Sequence, residues 1–384
     1  MIIGFDAKRA FENTTGLGHY SRTLIQSMLA YYPSHTYVLF APKITTLLSL
    51  PTTHNMYTVT PQKVLHQRLT SYWRSIGVAK QIMQSGIQLY HGLSHEIPVG
   101  LHKLSIPTVV TIHDLIFEKY PHQFKKIDRL IYRNKFKYAC NNATHIIAIS
   151  EQTKLDIMQL YHIPAHKITV CYQSCNPIYT LTHTTTQLQS VRQRYSLPAQ
   201  YVLYVGSIIE RKNLLTLCKA LLHTKCTLPL VVIGNGGKYK HKVQQYIKAV
   251  GLSSRVIFLS EQPSAMQSIT YSNNIDFPAI YQLATAMIYP SIYEGFGIPV
   301  LEALSSGTPV ITSNISSLPE VGGNAAILID PHDAMAIAAA IDDIVYNEHV
   351  RNTCILNGRL HAQQFNEQVC ASKVLDVYKQ IVGL

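Results

Sequence analysis

The sequence predicts an α/β protein made of two doubly wound domains, each built on a parallel sheet with helices on both faces. The chain has 384 residues, which is more than one hydrophobic core usually organises. Short, nearly continuous apolar runs alternate with helix-like segments in both halves, as expected for buried parallel strands joined by helices. With 47% hydrophobic and 14% charged residues, the composition supplies ample core and argues against disorder.

The first half of the chain contains apolar runs with strand character and helical patterns between them. The strands are predicted at Ile2–Phe5, Tyr37–Phe40, Ile87–Tyr90, Thr108–Ile112 and His145–Ile149. The helices are predicted around Tyr20–Ala30, Tyr72–Gln84, Lys125–Cys140 and Glu151–Leu160. Alternation of this kind gives a doubly wound domain, which we assign to residues 1–179.

The second half repeats this architecture. Its strands are predicted at Tyr201–Val205, Leu230–Ile233, Val256–Leu259, Ala286–Tyr289, Val310–Thr312 and Ala326–Ile329. The polar stretch Thr180–Gln187 predicts the domain boundary, so that the second domain covers residues 180–365. The segment Val350–Leu384 is helical and no strand follows it. We therefore expect residues 366–384 to form a helix that crosses the domain junction and packs back on the first domain.

Charge and cysteine content limit the class of protein. The net charge of +12 implies attraction to anions, namely nucleic acid, anionic lipid or a phosphorylated substrate. No apolar run is long enough to span a membrane, and the first residues do not resemble a signal peptide, so we expect a cytoplasmic location. Seven cysteines, an odd number, disfavour a disulfide framework. Cys171 and Cys175 have no second pair at zinc-ligand spacing, so no metal site is predicted.

The most informative motif runs from Glu294 to Glu302 and reads E-G-F-G-I-P-V-L-E. A strand-like segment precedes it and a helix-like segment follows, and a glycine turn before a helix N-terminus forms an anion site. The two flanking carboxylates add acceptors for hydroxyl groups. A nucleotide sugar presents this combination of phosphate and polyol. The alternative is a plain tight turn at Gly295 and Gly297, with both glutamates solvated.

A second glycine turn, T-G-L-G-H-Y-S, follows the first predicted strand. Gly16 and Gly18 would let the backbone approach a ligand, with a helix beginning near His19. Ser21 stands where a dinucleotide fingerprint has its third glycine, and no clear acidic residue ends the second strand. A nicotinamide dinucleotide site is therefore disfavoured.

Other candidates also follow strands, where ligands bind in doubly wound sheets. His113 follows Thr108–Ile112 and could exchange a hydrogen bond with a substrate hydroxyl, although a structural His-Asp turn is the alternative. Arg211 and Lys212 lie in the loop after the next domain's first strand and suit neutralisation of a diphosphate, unless the loop is simply solvated. Gly234, which follows Leu230–Ile233, begins either a base-contacting loop or a flexible turn.

Together these motifs resemble the retaining nucleotide-sugar glycosyltransferases of family 4. The resemblance covers nearly the whole chain, in order, and rests on T-G-L-G-H-Y-S, T-I-H-D-L, A-I-S-E-Q-T, V-G-S-I-I-E-R-K-N, Y-P-S-I-Y-E-G-F-G-I-P-V-L-E-A-L-S-S-G-T-P-V-I and S-S-L-P-E-V-G-G-N-A-A. It implies the GT-B fold, in which two Rossmann-like domains face each other across a cleft. The N-terminal domain would then bind the acceptor, and the C-terminal domain would bind the nucleotide sugar.

The resemblance also implies roles for individual residues. Glu294 would face the hydroxyls of the donor sugar, and Glu302 would hold the nucleotide ribose. Arg211 and Lys212 would neutralise the leaving diphosphate, and His113 would lie near the transferred sugar. Ser207 stands where many family members carry arginine. The remaining donor-binding candidates are this serine together with glycines and backbone amides: Gly16, Gly18, Ser207, Gly234, Gly295, Phe296, Gly297 and Ile298.

The chemistry implied is glycosyl transfer with retention of configuration, without a covalent nucleophile, a metal or another cofactor. The absence of a D-x-D triplet agrees with metal independence. The resemblance favours GDP-mannose as the donor and an O-antigen, capsule or other surface polysaccharide as the acceptor, while UDP-glucose and UDP-N-acetylglucosamine stay open. A glycosidase would need its two carboxylates to flank one bond, which this motif does not predict. A non-catalytic anion- or nucleic-acid-binding protein would rest on charge alone.

One predicted helix carries a basic stripe at four-residue spacing: Lys125, Arg129, Arg133 and Lys137. Apolar residues lie near it in the sequence and in the preceding helical region: Leu65, Leu69, Trp73, Ile76, Phe124, Ile127, Leu130, Ile131 and Tyr138. The pattern predicts a peripheral face for the anionic inner surface of the cell membrane, where the enzyme would meet a lipid-linked acceptor. A solvated basic face is the alternative.

Overall fold

The computed structural model describes residues 1–48 and 54–384, which form two compact units. The first unit contains Met1–Ser174 together with Glu367–Leu384, and the second contains Cys175–Asn366. The expected boundary at Thr180 falls inside the second unit, in the short 3₁₀ turn Pro177–Thr180. Each unit is built on its own parallel sheet.

The first unit has a seven-stranded parallel sheet in the order β3-β2-β1-β4-β5-β6-β7. Its strands are β1 Ile2–Asp6, β2 Thr36–Phe40, β3 Met56–Val59, β4 Leu89–Gly92, β5 Thr108–Ile112, β6 His145–Ala148 and β7 Ile168–Val170. The sequence analysis missed β3 and β7. Both are short edge strands with mostly half-exposed residues, so neither produces the continuous apolar run of a central strand.

Helices cover this sheet, and two of them differ from the sequence prediction. The helices are α1 Lys8–Glu12, α2 Gly16–Tyr31, α3 Val64–Arg68, α4 Thr70–Tyr72, α5 Ala79–Gln84, α6 Ile116–Lys119, α7 Lys126–Asn142 and α8 Glu151–Tyr161. A π-helical turn, Trp73–Gly77, interrupts the helix expected over Tyr72–Gln84. Helix α2 begins at Gly16 rather than near His19, because Gly18 and His19 already donate to the Thr15 carbonyl.

The second unit has a six-stranded parallel sheet in the order β10-β9-β8-β11-β12-β13. Its strands are β8 Val202–Val205, β9 Leu230–Ile233, β10 Val256–Phe258, β11 Ala286–Tyr289, β12 Val310–Ser313 and β13 Ala326–Ile329. Every strand expected from the sequence is present. The strand order reverses between β8 and β11, and such a switch point leaves a crevice at the carboxyl ends of the two strands.

The helices of the second unit complete the doubly wound pattern. They are α9 Thr185–Arg194, α10 Leu214–Ala220, α11 Lys238–Ala249, α12 Pro263–Met266, α13 Ile269–Ser272, α14 Phe277–Leu283, α15 Ile298–Ser305, α16 Leu318–Gly322, α17 Ala334–Tyr346 and α18 Glu348–Ala362. The apolar faces of α10, α11 and α17 pack on the strands in one core. The predicted fold class, two parallel-sheet domains of Rossmann type, is confirmed.

The last helix, α19 Glu367–Val382, belongs to the first unit and packs against α2. Tyr378 of α19 is fully buried, its hydroxyl lies 2.5 Å from Nδ1 of His91, and its ring packs against Phe5. All seven cysteines are free thiols. Across the described ranges, none of the helices combines the length and the apolar character that a membrane crossing requires.

Candidate active site

The glycine turn between β11 and α15 has a backbone that requires glycine. Gly297 is the residue before α15 and has a φ of 125°. A Cβ atom at this position would lie 2.8 Å from Cδ2 of Leu318. The preceding Phe296 is buried, with its ring 5.7 Å from that of Phe365. Turn conformation and packing therefore fix the start of α15 at Ile298, four residues after Glu294.

Glu294 is buried, with 7% of its surface exposed, and one of its carboxylate oxygens is surrounded by donors. Oε1 lies 2.9 Å from Nη1 of Arg211 and 2.5 Å from Nζ of Lys212. It also accepts hydrogen bonds from the Tyr289 hydroxyl at 3.1 Å and the Ser291 hydroxyl at 2.5 Å. All four of these contacts are made by the same oxygen, Oε1.

The charge state of Glu294 follows from these contacts. Burial by itself would raise the pKa of its carboxyl group. The charges of Lys212 and Arg211, with hydrogen bonds from Lys212 and Ser291, outweigh burial and hold the pKa at about 2. Glu294 is thus ionised at any physiological pH, and it accepts hydrogen bonds rather than donating them.

The two cations are positioned by the loop that follows β8. The 3₁₀ turn Glu210–Lys212 presents both side chains, each only 11–12% exposed. The Arg211 carbonyl accepts from the Ile292 amide at 2.8 Å and from the Ser291 hydroxyl at 3.1 Å. The loops after β8 and β11, which are neighbours in the sheet, are therefore tied together by backbone contacts as well as by the ion pairs.

A serine pair after β12 holds the backbone of the glycine turn. Ser316 accepts from the Glu294 amide at 2.9 Å and donates to the Glu294 carbonyl at 2.7 Å. Ser317 donates to the carbonyls of Glu294 and Phe296 at 3.0 and 2.7 Å. The sequence analysis assigned no role to these serines, nor to Tyr289 and Ser291. Their only sequence signal was their place at or shortly after the ends of strands β11 and β12.

Ser207 and Gly234 contribute backbone rather than side chains. Ser207 is exposed, and its carbonyl accepts from the Ile209 amide at 3.1 Å. A Cβ atom on Gly234 would lie 1.9 Å from the Gly206 carbonyl oxygen, so only glycine allows the loops after β8 and β9 to approach this closely. The packing of the two loops therefore requires glycine at position 234 whether or not this residue contacts a ligand.

Glu302 lies in a different environment from Glu294. It sits on α15, and its Oε2 accepts a hydrogen bond from the Tyr281 hydroxyl at 3.0 Å. Burial raises the pKa of Glu302 to about 7, and interactions with the hydroxyls of Tyr281 and Tyr179 only partly offset it. Within the described part of the chain, no lysine or arginine forms an ion pair with it. The two glutamates of one motif therefore differ in charge state near neutral pH.

In the first unit, the glycine pair lies in the first turn of α2. A Cβ atom on Gly18 would lie 1.8 Å from the Asn13 carbonyl oxygen, whereas one on Gly16 would meet nothing within 4 Å. The Asn13 side chain accepts from the amides of Thr15 and Gly18 at 2.9 and 3.1 Å. Gly18 thus serves close packing, while Gly16 leaves open space at the helix N-terminus.

His113 is buried at the end of β5 among other aromatic rings. Its Nε2 lies 2.9 Å from the Leu93 carbonyl, so this nitrogen carries the proton. Burial lowers the pKa of His113 to about 4, the hydrogen bond to Leu93 opposes this, and the charge of Arg9 adds to it. Its amide donates to Nδ1 of His95 at 3.3 Å, a neighbour that the sequence analysis did not identify. The imidazole is thus neutral, with Nδ1 as its acceptor.

Comparisons with known proteins show similarity over most of the chain. Residues 15–177 match the model of "Glycosyltransferase Family 4", and residues 192–361 match that of "Glycosyl transferases group 1". The chain is 31% identical to the O-antigen chain mannosyltransferase B of Escherichia coli over 76% of this chain and 74% of that protein. It is 28% identical to the O-antigen chain mannosyltransferase RfbU of Salmonella typhimurium, over 71% of this chain and 69% of the other.

A likeness to a solved structure extends over the whole fold. Anabaena HepE in complex with UDP and glucose superposes with a TM-score of 0.71 at 16% identity, covering 99% of this chain and 100% of that one. At this identity the match shows the fold alone. With the family models and the 31% identical relative, it leads to one conclusion: the chain belongs to the GT-B glycosyltransferases of family 4, is a hexosyltransferase, and is similar to their mannosyl-transferring members.

Proposed function

We propose that this enzyme transfers a mannosyl group from GDP-mannose, with retention of configuration, to a glycan acceptor of an O-antigen or capsular polysaccharide. The names of the relatives in Escherichia coli and Salmonella support the sugar and the pathway class. The observation that carries the proposal is the buried contact of Glu294 with Arg211 and Lys212. Two cations and one carboxylate suit a ligand that combines a diphosphate with sugar hydroxyls.

In this proposal the two halves of the Glu294 carboxylate have different tasks. Oε1 keeps Arg211 and Lys212 in place before the donor arrives. Oε2 accepts hydrogen bonds from hydroxyls of the donor sugar. Because the pKa of Glu294 is held at about 2, it does not act as a general acid at neutral pH.

The proposed transfer occurs on one face of the sugar. The bond from C1 to the diphosphate oxygen breaks while the acceptor oxygen forms its bond to C1 on the same face. The acceptor proton passes to the departing phosphate oxygen. Negative charge grows on the diphosphate as C1 becomes oxocarbenium-like, and the guanidinium of Arg211 and ammonium of Lys212 stabilise it. These groups supply the neutralisation for which other transferases use a metal ion, so we propose a metal-independent reaction.

For the first unit, we propose that His113 hydrogen-bonds the transferred sugar as a neutral group. Its Nε2 proton is committed to the Leu93 carbonyl, which leaves Nδ1 as an acceptor for a hydroxyl. Gly16, whose surroundings are open, would give room to the donor phosphate. The ribose of the nucleotide would be held by Glu302.

The experiment is a donor screen with purified enzyme. Release of nucleoside diphosphate is measured with GDP-mannose, UDP-glucose and UDP-N-acetylglucosamine, with and without EDTA, and the anomeric configuration of the product is read by NMR. We expect GDP release from GDP-mannose to be fastest, unaffected by EDTA, with a retained configuration. Faster release of UDP from UDP-glucose would favour the alternative donor, which the UDP and glucose in the HepE structure support. No release from any sugar nucleotide would refute the proposal.

We further propose that the first unit meets its acceptor at an anionic lipid surface. This unit holds 20 Lys and Arg against 10 Asp and Glu, a net charge of +10, out of +12 for the chain. Exposed apolar side chains lie on α7 and on the α3–α4 region: Val64, Leu65, Leu69, Tyr72, Ile76, Ile127, Leu130, Ile131 and Tyr132. Arg74, next to Ser75 and Ile76, and Lys135 of α7 both contact Glu96 at 3.0 Å, so these two segments flank the same loop.

Some residues that were expected on the lipid-binding face are buried or paired with other side chains. Trp73, expected on it, is buried instead, and its Nε1 donates to Gln81 at 2.6 Å. Arg133 pairs with Glu118, and the Lys137 ammonium lies 5.6 Å above the Tyr161 ring. Lys125 is exposed and Arg129 is half-exposed, so both remain candidates for lipid phosphates.

Liposome co-sedimentation tests the lipid proposal. We expect binding to vesicles of phosphatidylcholine with phosphatidylglycerol, but weaker binding without phosphatidylglycerol or at high salt. Ile127→Glu should reduce binding, whereas Leu356→Glu, at a largely exposed leucine on α18 of the other unit, should not. Absence of binding to anionic vesicles at low salt would overturn it.

A further inference from the structure

Two buried tyrosines flank the carboxyl group of Glu302. The Tyr281 hydroxyl donates to Oε2 at 3.0 Å, and the Tyr179 hydroxyl lies beside the same carboxyl group. Tyr281 is 1% exposed and Tyr179 is 3% exposed, and their rings meet edge to face at 5.7 Å. The pair therefore has little freedom to move away from the glutamate.

Backbone contacts tie both tyrosines to the end of the helix that carries Glu302. The Thr308 hydroxyl donates to the Tyr281 carbonyl at 2.7 Å. The Ser306 hydroxyl donates to the Tyr179 carbonyl at 3.3 Å. Thr308 and Ser306 lie within three residues of the end of α15, so the distance between each tyrosine and the glutamate is set by packing on both sides.

Other titratable groups on the elements around α15 are engaged elsewhere or act weakly on this carboxyl. Tyr289 donates to Glu294, the Cys175 thiol lies 3.4 Å from the Ser305 hydroxyl, and the His361 ring packs on Phe365. The remaining groups are Arg359 of α18, which packs at Gly307, and Glu320 of α16. Among the described residues, Arg359 forms no ion pair with Glu302. The two tyrosines are the polar side chains that act on it.

We propose that Tyr281 and Tyr179 are positioning residues that orient the Glu302 carboxyl group toward the nucleotide ribose and set the pH at which the nucleotide-binding form of Glu302 is gained. This inference rests on the proposed role of Glu302 in holding the ribose. A carboxylate accepts hydrogen bonds from both ribose hydroxyls, whereas a protonated carboxyl has lost part of its acceptor capacity to its own proton.

The direction of the pH dependence follows from the environment of Glu302. Its pKa, raised to about 7 by burial, means that the acceptor form is gained as the pH rises through neutrality. Nucleotide affinity should therefore rise with pH and level off above the midpoint. Removing the Tyr281 hydroxyl removes a donor that favours the charged form, so the midpoint should move to higher pH.

The test compares GDP with 2′,3′-dideoxy-GDP by calorimetry across the neutral range. Both nucleotides carry the same titrating phosphates, so the ratio of their affinities isolates the ribose hydroxyls. In the wild type, GDP should bind more tightly at high pH, with the preference falling by up to about tenfold for each pH unit below the midpoint. A preference that does not change with pH would overturn the inference.

Variants separate the tyrosines from the glutamate. Tyr281→Phe should move the midpoint to higher pH, and Tyr179→Phe should move it in the same direction by less. The control is Tyr201→Phe, another buried tyrosine of this unit, whose hydroxyl donates to the Ile280 carbonyl at 2.6 Å. It should leave the midpoint unchanged. Retained binding of dideoxy-GDP shows that each variant is folded.

A further variant distinguishes the role of the two tyrosines from the proposed role of Glu302 in holding the ribose. Glu302→Gln should abolish the pH-dependent preference for GDP over dideoxy-GDP. If it does so but both tyrosine variants keep the wild-type midpoint, the tyrosine inference is overturned and the ribose role stands. If the wild type does not distinguish the two nucleotides at any pH, and the same holds for UDP and its dideoxy form, the ribose role itself is wrong.

Discussion

Glu294→Gln should destabilise the protein as well as impair catalysis, because it leaves two buried cations without their counter-charge. The pKa of Glu294 falls from its ordinary value of 4.5 to about 2 in the folded state. Each pKa unit corresponds to about 1.4 kcal/mol, so the ionised carboxylate, with the cost of its burial already subtracted, contributes roughly 3 kcal/mol at neutral pH. This agrees with the roughly 3–5 kcal/mol lost when one partner of a buried ion pair is removed.

The assay is urea unfolding at pH 7, with and without GDP. We expect the variant to lose about 3 kcal/mol in the free energy of unfolding. GDP should restore more stability to the variant than to the wild type, because its diphosphate replaces the missing negative charge. Glu348→Gln, at an exposed position in the same unit, is the control and should cost less than about 1 kcal/mol.

The pH dependence gives an independent check. Because the pKa of Glu294 is depressed by folding, its contribution is complete above the unfolded-state value near 4.5 and is lost as the pH falls toward about 2. The wild type should lose stability over that acid range more steeply than Glu294→Gln. A variant as stable as the wild type at pH 7, with the same acid profile, would refute the argument that this carboxylate neutralises the two cations.

Further predictions concern the cations, the glycines and the histidine. Lys212→Ala should lower turnover at least tenfold, which corresponds to about 1.4 kcal/mol of barrier. The control, Lys219→Ala, changes an exposed lysine on α10 and should have no effect on turnover. Equal turnover in the two variants would refute the proposal that Lys212 neutralises the diphosphate. Gly297→Ala should lower the free energy of unfolding by about 1–3 kcal/mol, because Gly297 has a positive φ. Gly16 has open space around it, so Gly16→Ala should stay within about 1 kcal/mol of the wild type. Thermal unfolding measures both changes. His113→Asn should lower turnover at saturating donor without changing the shape of the pH–rate profile between about pH 5 and 8. The reason is that the pKa of His113 is about 4, so His113 does not titrate in that range. If the variant lost a pH-dependent rise or fall of the rate in that range, a neutral histidine would be contradicted.

Much of the fold could be predicted from the sequence because it depends on local pattern. The buried strands of both sheets, such as β5 and β11, are continuous apolar runs whose burial on both faces leaves a direct signal. The edge strands β3 and β7 gave no such signal because most of their residues are partly exposed. The π-helical turn at Trp73 was also missed, since its sequence keeps the apolar spacing of an ordinary helix.

The candidate site was only partly accessible to sequence reasoning. Arg211, Lys212 and Glu294 could be selected because each follows a strand that ends at the same edge of a parallel sheet. Ser316 and Tyr289 could not, because a serine or tyrosine at or near the end of a strand is common, and only contact with Glu294 distinguishes these two.

The sequence by itself determined the fold class, the family and the loops that carry the polar residues, since these depend on periodicity and on glycines with fixed positions. Only the tertiary structure decided the charge states of those residues. Glu294 and Glu302 flank the same short motif, yet one carboxyl has a pKa of about 2 and the other about 7. The difference arises because the neighbours that set it, Arg211 and Lys212 for one and Tyr281 for the other, come from elements distant in the chain.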